Sequence, residues 1–107
     1  MTSLSEMDQA LADWDEAIDE WGEEQDNADE ADADYKHWRS SQVKAYFDDG
    51  FSVSRAEVMV TATEKYVEEL TKVTKAKTKA EMFKKKITVA EARFQKARSE
   101  YSSQRNV

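Results

Sequence analysis

The sequence predicts an all-α protein: a long antiparallel helical hairpin, coiled-coil-like, with a short helix at the turn, and dimeric. Three observations predict it. The 107 residues include no proline and two glycines, fewer than a chain of many turns needs, while the good helix formers alanine, glutamate and lysine are abundant. Two long stretches repeat apolar residues in alternating steps of three and four, the pattern of a helix burying one stripe. Between them stands Gly50, placed where the chain must reverse.

The first helix is expected from about residue 5 to about 48. Its stripe runs through Leu4, Met7, Leu11, Trp14, Ile18 and Trp21, then more weakly through Gln25, Ala28, Ala31, Tyr35, Trp38, Gln42 and Ala45. Two consecutive steps of three around Ala28 amount to a stammer, which overwinds a coiled coil locally. Gly22 costs about 1 kcal/mol relative to alanine inside a helix. Small or polar residues hold the stripe near Asn27, so a kink or fray is expected within 22–32.

Gly50 then reads as a left-handed C-cap. Ser54 reads as the next N-cap, Glu57 three residues on completes a capping box, and Val53 with Val58 forms a hydrophobic staple. This gives a short helix over about 54–61. The β-branched run Val58 to Thr63 disfavours helix, and Thr61 with Glu64 makes a second box, so a bend follows and the last helix spans about 63–102. Its stripe is unbroken: Val73, Ala76, Ala80, Phe83, Ile87, Ala90, Phe94, Ala97 and Tyr101. Residues 103–107 are expected to fray. The whole chain, 1–107, reads as one hairpin domain.

Both stripes are narrow, and Trp14, Trp21 and Trp38 are large for a two-helix contact. A second hairpin would cover them in a dimeric four-helix arrangement; the alternative is that the short helix covers the stripe of a monomer. The packing seam is assigned to Leu11, Trp14, Ile18, Trp21, Tyr35, Trp38, Val73, Phe83, Ile87 and Phe94. Turn and cap are assigned to Gly50, Ser54 and Glu57.

Charge is divided along the chain. Residues 1–50 carry a net charge of -13 and residues 51–107 a net of +6; from Glu6 to Asp34 there are 14 acids and no base. Oppositely charged halves attract when laid side by side. Asp15, Glu16, Asp19, Glu20, Glu23 and Glu24 form a candidate acidic face for a partner such as a basic DNA-binding protein, as a DNA mimic would. Lys75, Lys79, Lys84, Lys85 and Lys86 form a candidate basic face. Direct nucleic-acid binding is disfavoured, because the aromatic residues fall on the seam and not among the lysines, where they could stack with bases.

Catalytic chemistry finds little to work with. The absence of cysteine excludes disulfides, thiolate zinc and iron–sulfur sites. His37 is the single histidine, so no histidine cluster forms within one chain and the Glu-x-x-His pattern of ferritin-like bundles is missing. Two glycines cannot write a phosphate-binding loop. The expectation is a protein that is not an enzyme and takes no cofactor. No run approaches the length of a membrane span, and the N-terminus has no signal-peptide pattern, so the cytoplasm is the expected compartment.

The segment Ser52-Val53-Ser54-Arg55-Ala56-Glu57-Val58-Met59-Val60-Thr61-Ala62-Thr63-Glu64-Lys65-Tyr66 follows a glycine turn. It leads into a long charged helix that closes with Ala92, Arg93, Phe94, Arg98, Ser99 and Arg105. This resembles small helical-hairpin proteins of tailed phages and prophages, with Gly50, Ser52, Arg55, Glu57, Thr63 and Tyr66 at the matching positions, over roughly the last two thirds of the chain. The resemblance implies a phage accessory protein working near DNA replication or recombination in the host cytoplasm, and implies no catalytic residue. The acidic run at the N-terminus is heavier than the resemblance implies.

Overall fold

Helix propensity dominates the chain, and each helix end is set by a local device. The computed structural model describes residues 2–105 and places in them α1 (Leu4–Asp48), α2 (Val53–Thr61) and α3 (Glu64–Arg105). Ser3 caps α1: its Oγ accepts from the Glu6 amide at 3.1 Å, while the Ser3 amide donates to Glu6 Oε2 at 3.2 Å. This reciprocal box satisfies two amides that the first turn leaves orphaned. α1 is helical throughout 22–32, so the expected fray does not occur.

At its other end α1 closes on Gly50, whose φ of 100° only glycine adopts at no cost. The Phe51 amide donates to the Tyr46 carbonyl at 3.2 Å and the Gly50 amide to the Phe47 carbonyl at 3.0 Å, the bond pair of a Schellman motif. The apolar contact that accompanies this motif is an edge-on pair of rings, Tyr46 and Phe51, with centroids 5.7 Å apart.

The cap of α2 is Ser52, two residues before the expected Ser54. Its backbone is extended (φ -65°, ψ 157°) and its Oγ accepts from the Arg55 amide at 3.3 Å. Ser54 therefore lies in the first turn. Glu57 faces solvent, and so do Val53 and Val58, the supposed staple. The earlier start carries Ala56 and Val60, four residues apart, to the buried side. α2 ends at Thr61, and the chain bends at Ala62 and Thr63. Thr63, not Thr61, starts α3: its Oγ1 accepts from the Tyr66 amide at 3.2 Å and donates to the Val60 carbonyl at 2.8 Å.

α3 runs three residues beyond the expected end, to Arg105. With its amide turned to satisfy both groups, Gln104 donates to the Thr2 carbonyl at 2.7 Å and accepts the Thr2 amide at 2.8 Å. Thr2 Oγ1 also donates to Glu100. These ties hold the last turn. Asn106 and Val107, the rest of the expected frayed end, lie outside the described residues.

The chain forms two compact units. Unit 1 is Met1–Gln25 with Lys79–Val107, and unit 2 is Asp26–Thr78. In unit 1 the start of α1 meets the end of α3: Thr2 reaches Glu100, the Trp14 ring lies 5.5 Å from Phe94, and Glu24 pairs with Lys79 at 3.3 Å. Rising numbers on α1 meet falling numbers on α3, so the helices are antiparallel. In unit 2 the same sense holds, with Asp32 on Lys77 at 2.9 Å and the rings of Tyr35 and Tyr66 6.3 Å apart. There α2 adds a third element that buries Ala56 and Val60.

The buried register of α1 corrects the expected one. Leu11 and Ile18 do not lie in the seam; with Leu4 they are 39%, 42% and 51% exposed. The positions removed from solvent up to Trp38 are Met7, Ala10, Trp14, Ala17, Glu20, Trp21, Gly22, Glu24, Gln25, Ala28, Ala31, Asp32, Tyr35 and Trp38. Up to Trp21, Glu20 aside, these keep steps of three and four; between Trp21 and Ala28 both Glu24 and the expected Gln25 are half-buried. Alanine at alternate layers lets two helix axes approach closely, and the tryptophans fill the layers between. The leucine positions are left on the flank of the pair. Beyond Trp38 the half-buried residues are Arg39, Val43 and Tyr46, and the expected Gln42 and Ala45 are exposed. On α3, Val73, Ala80 and Ala90 are buried, and Phe83, Ile87 and Phe94 are half-buried.

Candidate interaction surfaces

Within unit 1 the acidic and basic residues come together in part. Of the six acids singled out, Glu24 is tied to Lys79, and Glu16 and Glu20 line a shallow groove in unit 1 with Lys85 and Lys86. An i,i+4 row of acids repels itself, and bases from α3 relieve it. Asp15, Asp19 and Glu23 are exposed on α1, and Lys75 and Lys84 on α3. Lys86 also places its ammonium 4.2 Å from the Phe83 ring centroid, a cation–π contact that holds the side chain along its own helix.

In unit 2 the charged groups form local networks. Asp32 accepts from Lys36 at 2.8 Å and from Lys77 at 2.9 Å. Lys36 first, then Lys77, holds its carboxyl below the ordinary value of 3.8. Glu69 sits between Lys65 and Lys72, at 3.1 and 3.3 Å, and is likewise held below 4.5. Tyr35 is pushed above the usual phenol value, first by burial and then by its hydrogen bond with Tyr66. None of these groups converges on a reacting position. Among the described residues no group of three or more histidine, aspartate or glutamate side chains could hold a metal ion. His37 is exposed.

The concave feature of unit 2 was not foreseen. α1 from Tyr35 to Phe47 and α2 at Val53 and Glu57 enclose an open groove of about 500 Å³. Half-buried Val43 lines it together with Phe47 and Val53, which are 53% and 52% exposed. Lys36, Arg39 and Lys44 line it with Glu57 as the one acid. Arg39 Nε is shut off from solvent with no hydrogen-bond partner. The indole N–H groups of Trp14 and Trp21 in unit 1 share that condition. The groove depends on the angle at which α2 leaves the turn, which no local signal in the sequence encodes. The Ser3–Glu6 box, by contrast, is a plain Ser-x-x-Glu and was open to reading.

Comparison with family models, with curated proteins and with solved structures gives no match to this chain. Among the described residues no helix is long and apolar enough to cross a membrane.

Proposed function

We propose that this chain is a non-enzymatic accessory protein that acts by binding protein, a second copy of itself included. The observation that carries this is the row Leu4, Leu11 and Ile18, large aliphatic side chains at seven-residue spacing and exposed on a helix whose seam is filled by other residues. A row of this kind exposed along a helix is the form in which an amphipathic helix presents anchors to a groove. Light scattering on the eluting peak of a size-exclusion column tests the reading. The expected result is a dimer mass at tens of micromolar; a monomer there overturns self-association. The likeness of the turn segment to helical proteins of tailed phages supports a phage accessory acting in the host cytoplasm.

A second reading has its own support. Asp15, Asp19 and Glu23 face solvent along α1, a row of negative charge suited to a basic DNA-processing or defence protein. Replacing the six acids from Asp15 to Glu24 by their amides would abolish salt-sensitive binding to such a protein on this reading; unchanged binding would remove it. The lysines at 75, 79 and 84–86 are a weaker basis for nucleic-acid binding, because acids of α1 already share their surface.

A further inference from the structure

Two features that the fold leaves exposed are complementary to each other. The first is the stripe Leu4–Leu11–Ile18 on unit 1. It is apolar, spans about 21 Å along the helix at 1.5 Å per residue, and is set in a stretch that contains five acids and no base from Leu4 to Ile18. The second is the groove on unit 2 between α1 and α2. It is apolar at Val43, Phe47 and Val53 and is lined by three bases against one acid. From Tyr35 to Phe47 it follows α1 for about 18 Å.

Length, apolar content and charge therefore match. Lys36 and Lys44 pair with Asp32 and Asp48 in solvent-exposed contacts, which hold them only weakly, so all three bases count toward recognising an acidic helix. Arg39 is half-buried with its Nε shut off from solvent, so an acceptor from a second copy meets the guanidinium at its outer nitrogens. Both features lie on α1, which is one continuous helix. A chain cannot lay the first part of that helix along its later part, so the occupant must come from a second copy.

We propose that the N-terminal stripe of one copy, Leu4, Leu11 and Ile18, seats in the α1–α2 groove of another, with an acid beside the stripe accepting from Arg39. The proposal rests on the self-association reading above and names the surfaces that carry it. The contact is heterologous in its parts. It gives a closed dimer where each copy both donates its stripe and receives one, and a chain of copies where the rotation does not close.

The test uses two variants of the full chain, each altered only at exposed positions and each checked for helix content by circular dichroism. One is Leu11→Glu with Ile18→Glu, which spoils the stripe; the other is Phe47→Glu, which spoils the groove. Each alone is expected to weaken association at least about tenfold, as loss of a central anchor does. A mixture of the two is expected to regain a hetero-assembly, because the first still has a groove and the second still has a stripe. Light scattering on the mixture reads this, with one variant carrying a mass tag. A wild type that stays monomeric overturns the self-association reading itself. A wild type that associates while both variants associate equally well overturns only the stripe-in-groove assignment. Loss in both variants with no recovery on mixing also overturns it, and so does loss in the stripe variant alone, which points to a symmetric stripe-on-stripe contact instead. Arg39→Gln is a third variant, and association as strong as that of the wild type would overturn the contact given to Arg39. It is expected to weaken the wild-type assembly while leaving helix content unchanged.

Discussion

The two units solve the same packing problem with different side chains. Unit 1 closes two helices over alanine: Ala17, Ala80 and Ala90 are its buried hydrophobics, and its bulk comes from half-buried rings such as Trp14 and Phe94. Unit 2 has a third helix, and with it a fully buried Val60, together with Ala28, Ala56 and Val73. A pair of helices has no inside. It can exclude water from small residues at the line of contact and only half cover large ones. Adding α2 creates a position covered from several directions, and a branched side chain becomes worth placing there. The difference predicts that cooperative stability is concentrated in unit 2, while unit 1 is held by close approach and by ties at its end, Thr2 with Glu100 and with Gln104.

The largest expected effect breaks that contrast at its centre. Val60→Asp places a carboxylate at a position 1% exposed, at a cost of about 3 kcal/mol or more. Urea unfolding followed by circular dichroism should show the loss, and hydrogen exchange should show protection falling first in α2 and the adjoining turns of unit 2. Equal loss of protection across unit 1 would mean that the two units unfold as one.

The counterpart in unit 1 is Ala17→Leu. Here the harm is too much volume where the helices need to lie close, at about 1–3 kcal/mol. The same substitution at Ala12, which is exposed, should change the urea midpoint little. An Ala17→Leu protein as stable as the wild type would show that alanine is not what sets the approach of α1 to α3.

These two substitutions also mark how far the sequence could be read. Helix content, the reversal at Gly50 and the break near Ala62 were legible because each has a local cause: propensity, a positive φ, a run of β-branched residues. The α3 stripe was legible because one choice of register was apolar at every step. On α1 two registers competed. One carried Leu4, Leu11 and Ile18, the other Ala10 and Ala17, and both shared the aromatic residues, Ala28 and Ala31. Hydrophobicity favours the leucines, and closeness of the partner helix favours the alanines. That second quantity belongs to the pair and cannot be seen on one helix. Charge was legible in its sign and in its compensation, as Glu24 with Lys79 and Asp32 with Lys77 bear out. The groove was not, since it is formed by the direction of α2 and not by its composition.

The smallest expected effect separates the units by pH. Asp32 is held below its ordinary value of 3.8 by Lys36 and then Lys77, and Glu69 below 4.5 by Lys65 and then Lys72. A carboxylate with a depressed folded-state pKa contributes stability that is present above its unfolded value and is lost as pH falls through the folded one. Lys36 is raised above 10.5 by Asp32, so its contribution is present below that value and is lost as pH climbs through the raised one. The ion pairs of Asp32 thus act on a plateau between the two limits. Asp32→Asn removes them at every pH. The urea midpoints of wild type and Asp32→Asn should therefore differ across neutral pH and converge well below the carboxylate range, where the wild-type group is itself protonated. They should also converge in concentrated salt, because these pairs lie at the surface and are screened. A difference that persists in acid would assign the effect of Asp32 to packing along α1 and not to its charge.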